Sequence, residues 1–244
     1  MKNLIIAALL LGATFTTGAA VADDHEISGN VALTTDYRFR GISQTSRDPA
    51  IQGGFDYGHE SGLYIGTWAS NVSFTEGGTE IDVYAGWGTD LNENLALDLG
   101  VLYYGYPSDS DADYVEIYGS LGFYGATVGL HYSPEYTFDT GTYFYLYGAY
   151  SLPLGETFSL DLHLGYNQFE DDNLDAFLGA FGAGKSYLDY SIGVTAGVAG
   201  VDLTLAYVGT DIDKDDCFPA TFPPDGSGTK DCQGNAVFTI SRSL

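Results

Sequence analysis

Two arginines two residues apart, Arg38 and Arg40, are the side chains of this sequence best placed to act on a solute. The chain has eight Lys and Arg against 33 Asp and Glu, so each cation stands out against an acidic background. In extended backbone, residues i and i+2 share a face, so both guanidinium groups point the same way as Asp36. Facing Asp36, Asp56 or Asp82 across a passage, they would set up a transverse field that sorts solutes by charge. The same pair could instead neutralise nearby carboxylates and tie the segment 41–50 inward. Asp98, Asp161, Asp189 and Asp202 fall on the matching polar face of their own segments. Trp68 shares a face with Tyr64 and Gly66, either as a stacking platform for a sugar-like ligand or packed on a neighbouring strand's glycine.

Other chemistries fit less well. His131 and His163 could join a Ser and an Asp in a lipase-like site, but no G-x-S-x-G elbow or other nucleophile signature is present. The two histidines share faces with Gly129 and Asp161, which puts them on a polar interior. No catalytic residue and no enzymatic activity are therefore expected. The acidic stretches at 109–113, 170–172 and 211–216 offer oxygens to hard cations, yet none follows EF-hand or nonapeptide spacing. Four scattered histidines and two cysteines make no structural metal site, so neither a metal nor a cofactor is expected. In an exported chain, Cys217 and Cys232 read as a disulfide.

The elements that carry these residues are short and alternating. Residues 95–106 are the clearest case, with Leu95, Leu97, Leu99, Val101 and Tyr103 on one face against Ala96, Asp98 and Gly100. Strands are expected near 27–39, 51–59, 63–74, 79–89, 95–106, 113–123, 126–133, 142–152, 157–168, 187–198, 201–210 and 235–244. Connections alternate between very short and long, with the longest at 41–50, 170–186 and 211–234. About twelve antiparallel strands with tight turns on one side and longer loops on the other is the rhythm of a transmembrane β-barrel. Tyr37, Tyr103, Tyr132, Tyr166 and Tyr207 would form an outer aromatic girdle; Tyr57, Phe123, Tyr150 and Phe158 would form the periplasmic one. A soluble β-sandwich also alternates, but it would have to bury the inward Asp36, Asp98, Asp161, Asp189 and Asp202, at a high desolvation cost.

The ends and composition agree. Lys2, the apolar stretch 4–11 and Ala20-Val21-Ala22 read as a secretory signal over 1–22, leaving 23–244 as one barrel domain. The full chain carries −25; without 1–22 it loses Lys2 and no acid, which leaves seven Lys and Arg against 33 acids, or −26. Such a charge offers no basic footprint for nucleic acid. A mean hydropathy of −0.02 suits a barrel whose strands are apolar on one face only.

A run of residues near the start carries a family resemblance. It comprises Thr35-Asp36-Tyr37-Arg38-Phe39-Arg40-Gly41-Ile42-Ser43-Gln44-Thr45, Asp48-Pro49-Ala50 and Gln52-Gly53-Gly54-Phe55-Asp56-Tyr57. Gly62-Leu63-Tyr64, Gly66-Thr67-Trp68-Ala69-Ser70-Asn71-Val72 and Glu80-Ile81-Asp82-Val83-Tyr84-Ala85-Gly86 continue it. This segment resembles the TorF family of porin-like proteobacterial outer-membrane proteins. The resemblance implies a porin-like barrel and brings no substrate and no catalytic residue.

Together these readings point to an outer-membrane channel for passive diffusion of small solutes, with cations preferred because inward carboxylates outnumber the arginines. The alternatives are a surface structural or adhesin-type barrel with a closed lumen and a barrel lipid hydrolase. The expected partners are outer-membrane lipid and lipopolysaccharide, small solutes and the barrel-assembly machinery.

Overall fold

A computed structural model of the chain describes residues 25–170, 185–217 and 230–244. Twelve antiparallel strands close into one barrel: β1 (His25–Thr34), β4 (Ala50–His59), β5 (Leu63–Asn71), β6 (Thr79–Asn92), β7 (Leu95–Gly105) and β8 (Tyr114–Phe123) make one half. The other half is β9 (Ala126–Ser133), β10 (Tyr143–Leu154), β11 (Phe158–Phe169), β12 (Ser186–Val198), β13 (Val201–Thr210) and β14 (Asn235–Ser243). A small hairpin, β2 (Arg38–Phe39) and β3 (Ile42–Ser43), lies apart from the barrel sheet. Each barrel strand pairs with its neighbours in sequence, and β1 closes the ring on β14 through Asn30–Ser243 and Thr34–Thr239. Closure leaves no strand edge unpaired, which is what a sheet needs to cross lipid. The expected signal segment 1–22 lies outside the described residues.

The connections divide by side. At one end they span 60–62, 93–94, 124–125, 155–157 and 199–200; at the other, 35–49, 72–78, 106–113, 134–142, 170–185 and 211–234. Two of the tight turns, Tyr124-Gly125 and Ala199-Gly200, have positive φ at both central residues, the twist that two-residue hairpins require.

The period-2 pattern sorts the faces. Ile27, Val31, Leu33, Phe55, Ile65, Leu99, Val101, Leu164 and Leu205 all face outward and are exposed. On a soluble protein that would be a very large apolar patch; around a barrel it is the lipid-facing band. Tyr103, Tyr166 and Tyr207 ring the long-loop end, and Tyr57, Phe123, Tyr150 and Phe158 the short-turn end. Tyr132 is half-buried against Phe144.

One strand departs from its expected extent. β1 ends at Thr34 rather than continuing to 39, and residues 35–49 turn into the barrel. The outward alternation of Thr35, Tyr37 and Phe39 is therefore not a lipid face. Tyr37 is buried, so the outer girdle lacks it.

Inside, aromatic rings fill the long-loop half of the lumen. Tyr104, Tyr106, Tyr114, Tyr136, Tyr143 and Phe169 are all buried there, with Tyr136 stacked on Tyr143 at 4.0 Å. The rings need flat floors, and glycines supply them: a Cβ at Gly129 would meet the Tyr147 ring at 2.4 Å.

Candidate functional site in the lumen

Among the described residues, the segment 35–49 folds into the barrel lumen. Its tip is the β2–β3 hairpin, turned through Arg40 (φ 47°) and Gly41 (φ 82°). At Gly41 no side chain fits, because a Cβ would lie 2.6 Å from the Gly209 carbonyl and 2.9 Å from the Asp189 Cβ. The hairpin thus lies flush on β12 and β13. It is also fastened to three other places on the barrel.

Arg38 makes the first fastening. Its Nε donates to Asp36 Oδ2 at 2.7 Å, and its Nη1 donates to the carbonyls of Gly41, Asp231 and Gln233 at 2.9, 2.8 and 2.9 Å. Asp36 accepts further bonds from Ser43 Oγ (2.6 Å) and Asn235 Nδ2 (3.2 Å). The Ser43 amide donates to the Asp231 carbonyl at 2.9 Å. Asp231 sits beside Cys232, which is bridged to Cys217, so the last long loop holds the hairpin through a covalently pinned backbone. Arg47 donates to the carbonyls of Lys230 and Gln233 in the same loop.

Arg40 makes the second fastening. Its Nη2 donates to Glu116 Oε2 at 2.7 Å, and both side chains are buried. His131 Nδ1 lies 2.9 Å from that oxygen, and the Tyr104 hydroxyl donates to it at 3.3 Å. The third fastening is Tyr37, whose hydroxyl donates to Glu80 Oε1 at 2.9 Å while Tyr106 donates to Glu80 Oε2 at 3.1 Å.

The arginines therefore do not face Asp56 or Asp82. Asp56, on β4, accepts from the Tyr84 hydroxyl. Asp82, on β6, stands opposite Trp68 and Tyr104 in the sheet, out of reach of either arginine. Arg40 reaches Glu116 on β8 instead, a partner sequence reasoning missed although Glu116 lies on the inward face of its strand. Arg38 and Arg40 reach the lumen from a folded-in hairpin, not from a barrel strand.

The other predicted lumen residues keep to the polar interior, and Asp98, Asp161 and Asp189 find hydroxyl, imidazole or amide partners. Asp98 on β7 accepts from Tyr64, which is 2.6 Å from Tyr118. Asp189 on β12 meets His163 Nε2 at 2.9 Å, Tyr145 at 3.2 Å and Asn167 at 2.8 Å. Asp161 on β11 accepts from Ser151, Ser159 and Thr195 at 2.6, 3.0 and 2.8 Å. Asp202 on β13 is half-buried opposite Gly197 near the short-turn end. Trp68 pairs across the sheet with Gly54 and sets its ring edge-on to Tyr37 at 5.3 Å, so it packs against the inward segment.

Below the hairpin lies a cavity of about 270 Å³. It extends from Asp36, Arg38 and Arg40 to Gly125, Tyr150 and Ser151, which belong to the short-turn end. One wall carries His131, Tyr145, Tyr147 and His163; the facing wall is small and hydroxylated, with Thr34, Thr195, Thr204, Thr239 and Ala206. Asp161 and Asp189 also line it. Among the described residues no group of His, Cys, Asp and Glu is arranged to hold a metal ion.

The fold has solved counterparts. The chain is similar to the KdgM porin, with a TM-score of 0.56, 8% identity and 89% of this chain covered against 99% of that one. It is similar to the NanC porin, with a TM-score of 0.53, 10% identity and coverage of 88% and 98%. The KdgM porin in complex with disordered oligogalacturonate gives 0.53, 8%, 89% and 98%. At these identities the likeness establishes the fold alone, a closed antiparallel β-barrel. A comparison with curated proteins finds no match. Residues 18–244 match the model of a family described as a bacterial protein of unknown function (Gcw_chp), and the chain belongs to that family.

Proposed function

We propose that this protein is an outer-membrane channel of the TorF porin type for passive diffusion of small solutes, with cations preferred. The inward hairpin 35–49 is its constriction. One observation carries the charge preference: each lumen arginine already has its own carboxylate, Arg38 with Asp36 and Arg40 with Glu116. The remaining inward acids, Asp56, Glu80, Asp82, Asp98, Asp161, Asp189 and Asp202, have no Lys or Arg within ion-pair distance among the described residues. Their field is focused by the low-dielectric wall and enriches cations at the entrance. No step of this function calls for a nucleophile or a cofactor.

A second reading has an observation in its favour. The long-loop half of the lumen is packed with aromatic rings, as a closed structural or adhesin-type barrel would be. Planar-bilayer recording separates the two. The channel reading expects discrete conductance with a reversal potential of cation sign under a KCl gradient. Anion preference would refute the charge assignment, and absence of conductance would favour the closed barrel.

A further inference from the structure

Arg40 is held as a ligand is held. Its guanidinium carbon lies 4.3 Å from the Tyr145 ring centroid, 4.9 Å from Tyr143 and 4.6 Å from Phe39. Its Nη2 donates to Glu116 at 2.7 Å. Aromatic faces around a cation, closed by a carboxylate, are the recognition chemistry of guanidinium and ammonium groups. Most of this cage is barrel wall: Tyr104 on β7, Glu116 on β8, His131 on β9, and Tyr143 and Tyr145 on β10. Only Arg40 and Phe39 arrive with the hairpin.

The cage is also incompletely satisfied. Arg40, His131 and Tyr104 all meet Glu116 at Oε2. Glu116 Oε1 is buried and has no hydrogen-bond partner among the described residues, and the residue as a whole is 0% exposed. A tethered arginine that engages one carboxylate oxygen leaves the second oxygen open to a further donor. A free guanidinium can turn its planar fork and engage both oxygens at once.

We propose that the barrel wall carries a binding site for guanidinium-class cations, which the protein's own Arg40 occupies as an internal ligand, and that exogenous guanidinium cations compete with Arg40 for it. Guanidinium is planar and more weakly hydrated than an ammonium, so it enters a buried aromatic site more readily. The site therefore discriminates methylguanidinium from methylammonium. The binding claim is independent of the channel reading. Its consequence, that such solutes displace the hairpin and widen their own path, rests on that reading.

The test is calorimetric titration of the full-chain barrel in detergent micelles with methylguanidinium chloride, at ionic strength matched by NaCl. Arg40→Ala vacates the cage and is expected to bind methylguanidinium at a single site at least about tenfold more tightly than wild type. The double variant Arg40→Ala/Glu116→Gln is expected to lose that binding, and methylammonium is expected to bind Arg40→Ala more weakly. The site is overturned if folded Arg40→Ala shows no binding, if it binds no better than wild type, or if the double variant still binds. Should Arg40→Ala fail to fold, its refolding yield is compared with methylguanidinium and with NaCl alone. Recovery with methylguanidinium only supports the site, and equal failure in both overturns it. Binding without any bilayer conductance would reject the channel and keep the site.

Discussion

Replacing Arg38 by alanine should unfasten the hairpin without unfolding the barrel. The structure sets the scale of the effect. The substitution removes one ion pair at 2.7 Å and three hydrogen bonds to carbonyls at 2.8–2.9 Å. Breaking a buried pair costs about 3–5 kcal/mol, because the orphaned charge stays in the interior. Here the low end applies, since Asp36 keeps Ser43 and Asn235 as donors. A loss of about 3 kcal/mol raises the undocked population on the order of 10²-fold. None of the lost bonds belongs to the barrel ladder, so the cost is local. Native-state hydrogen exchange reads it directly. The Ser43 amide, bonded to the Asp231 carbonyl, and the Gln44 amide, bonded to the Tyr37 carbonyl, should exchange about 10²-fold faster. Amides within β8–β11 should keep their protection. Unchanged protection at Ser43 and Gln44 would refute the assignment of Arg38 as a fastening. Equal acceleration across β8–β11 would show that it stabilises the barrel as a whole.

Three further outcomes follow from the same geometry. Under a KCl gradient, wild type should show a reversal potential of cation sign that fades toward 1 M salt, where the Debye length is about 3 Å, and Arg38→Ala/Arg40→Ala should be more cation-selective still. Reducing Cys217–Cys232, or making Cys217→Ser/Cys232→Ser, should release the loop backbone that accepts from Arg38 and Arg47 and raise solute entry in liposome swelling, while unheated samples should still run as folded barrel on electrophoresis. The chain-entropy term for a loop of that length is about 3 kcal/mol, here confined to the loop. Asp231 adds a pH dependence. Burial pushes its carboxyl up to about 6, with Arg38 pulling in the opposite direction. The docked loop then holds the proton more tightly than the released loop, so docking weakens as pH rises through the interval between about 4 and 6 and is weakest above it. Exchange protection of Ser43 should fall over that interval, and Asp231→Asn should flatten the profile.

The barrel was legible in the sequence because two independent signals agree. Strand alternation as in Leu95–Tyr103 fixes which face meets lipid, and connections of two or three residues can only be hairpin turns. The overrun of β1 shows where periodicity stops being informative. Thr35, Tyr37 and Phe39 alternate with Asp36, Arg38 and Arg40 whether they extend a strand or form a hairpin folded inward. The distinction is made by tertiary partners: Glu80 for Tyr37, Glu116 for Arg40, and the carbonyls of the last loop for Arg38. The one local signal is Gly41, which follows Arg40 at positive φ and turns the chain.

The site was legible by residue type and not by pairing. An inward face is a local property, so Asp98, Asp161, Asp189, His131 and His163 could be assigned to the interior from their own strands. A pair is not local. Arg40 and Glu116 stand 76 positions apart, and Arg38 and Asp231 193 apart. In a ring of twelve strands any inward residue can in principle face many others, and which ones meet depends on how far a loop descends. Charge counting also misdirected the pairing. It offered Asp36, Asp56 and Asp82 as partners; Arg38 does take Asp36, whereas Arg40 takes Glu116, and Asp56 already accepts from the Tyr84 hydroxyl. The wealth of tyrosine explains why. Tyr37, Tyr64, Tyr84, Tyr106 and Tyr145 bring rings that fill the lumen and hydroxyls that donate to Glu80, Asp98, Asp56 and Asp189, so these inward acids find donors without lysine or arginine. That frees the two scarce lumen arginines for the hairpin, where a single guanidinium can bind a carboxylate and several carbonyls at once. The scarcity of cations and the abundance of tyrosine are thus one design: neutral donors hold much of the wall, and charged donors hold the segment 35–49 folded into the lumen.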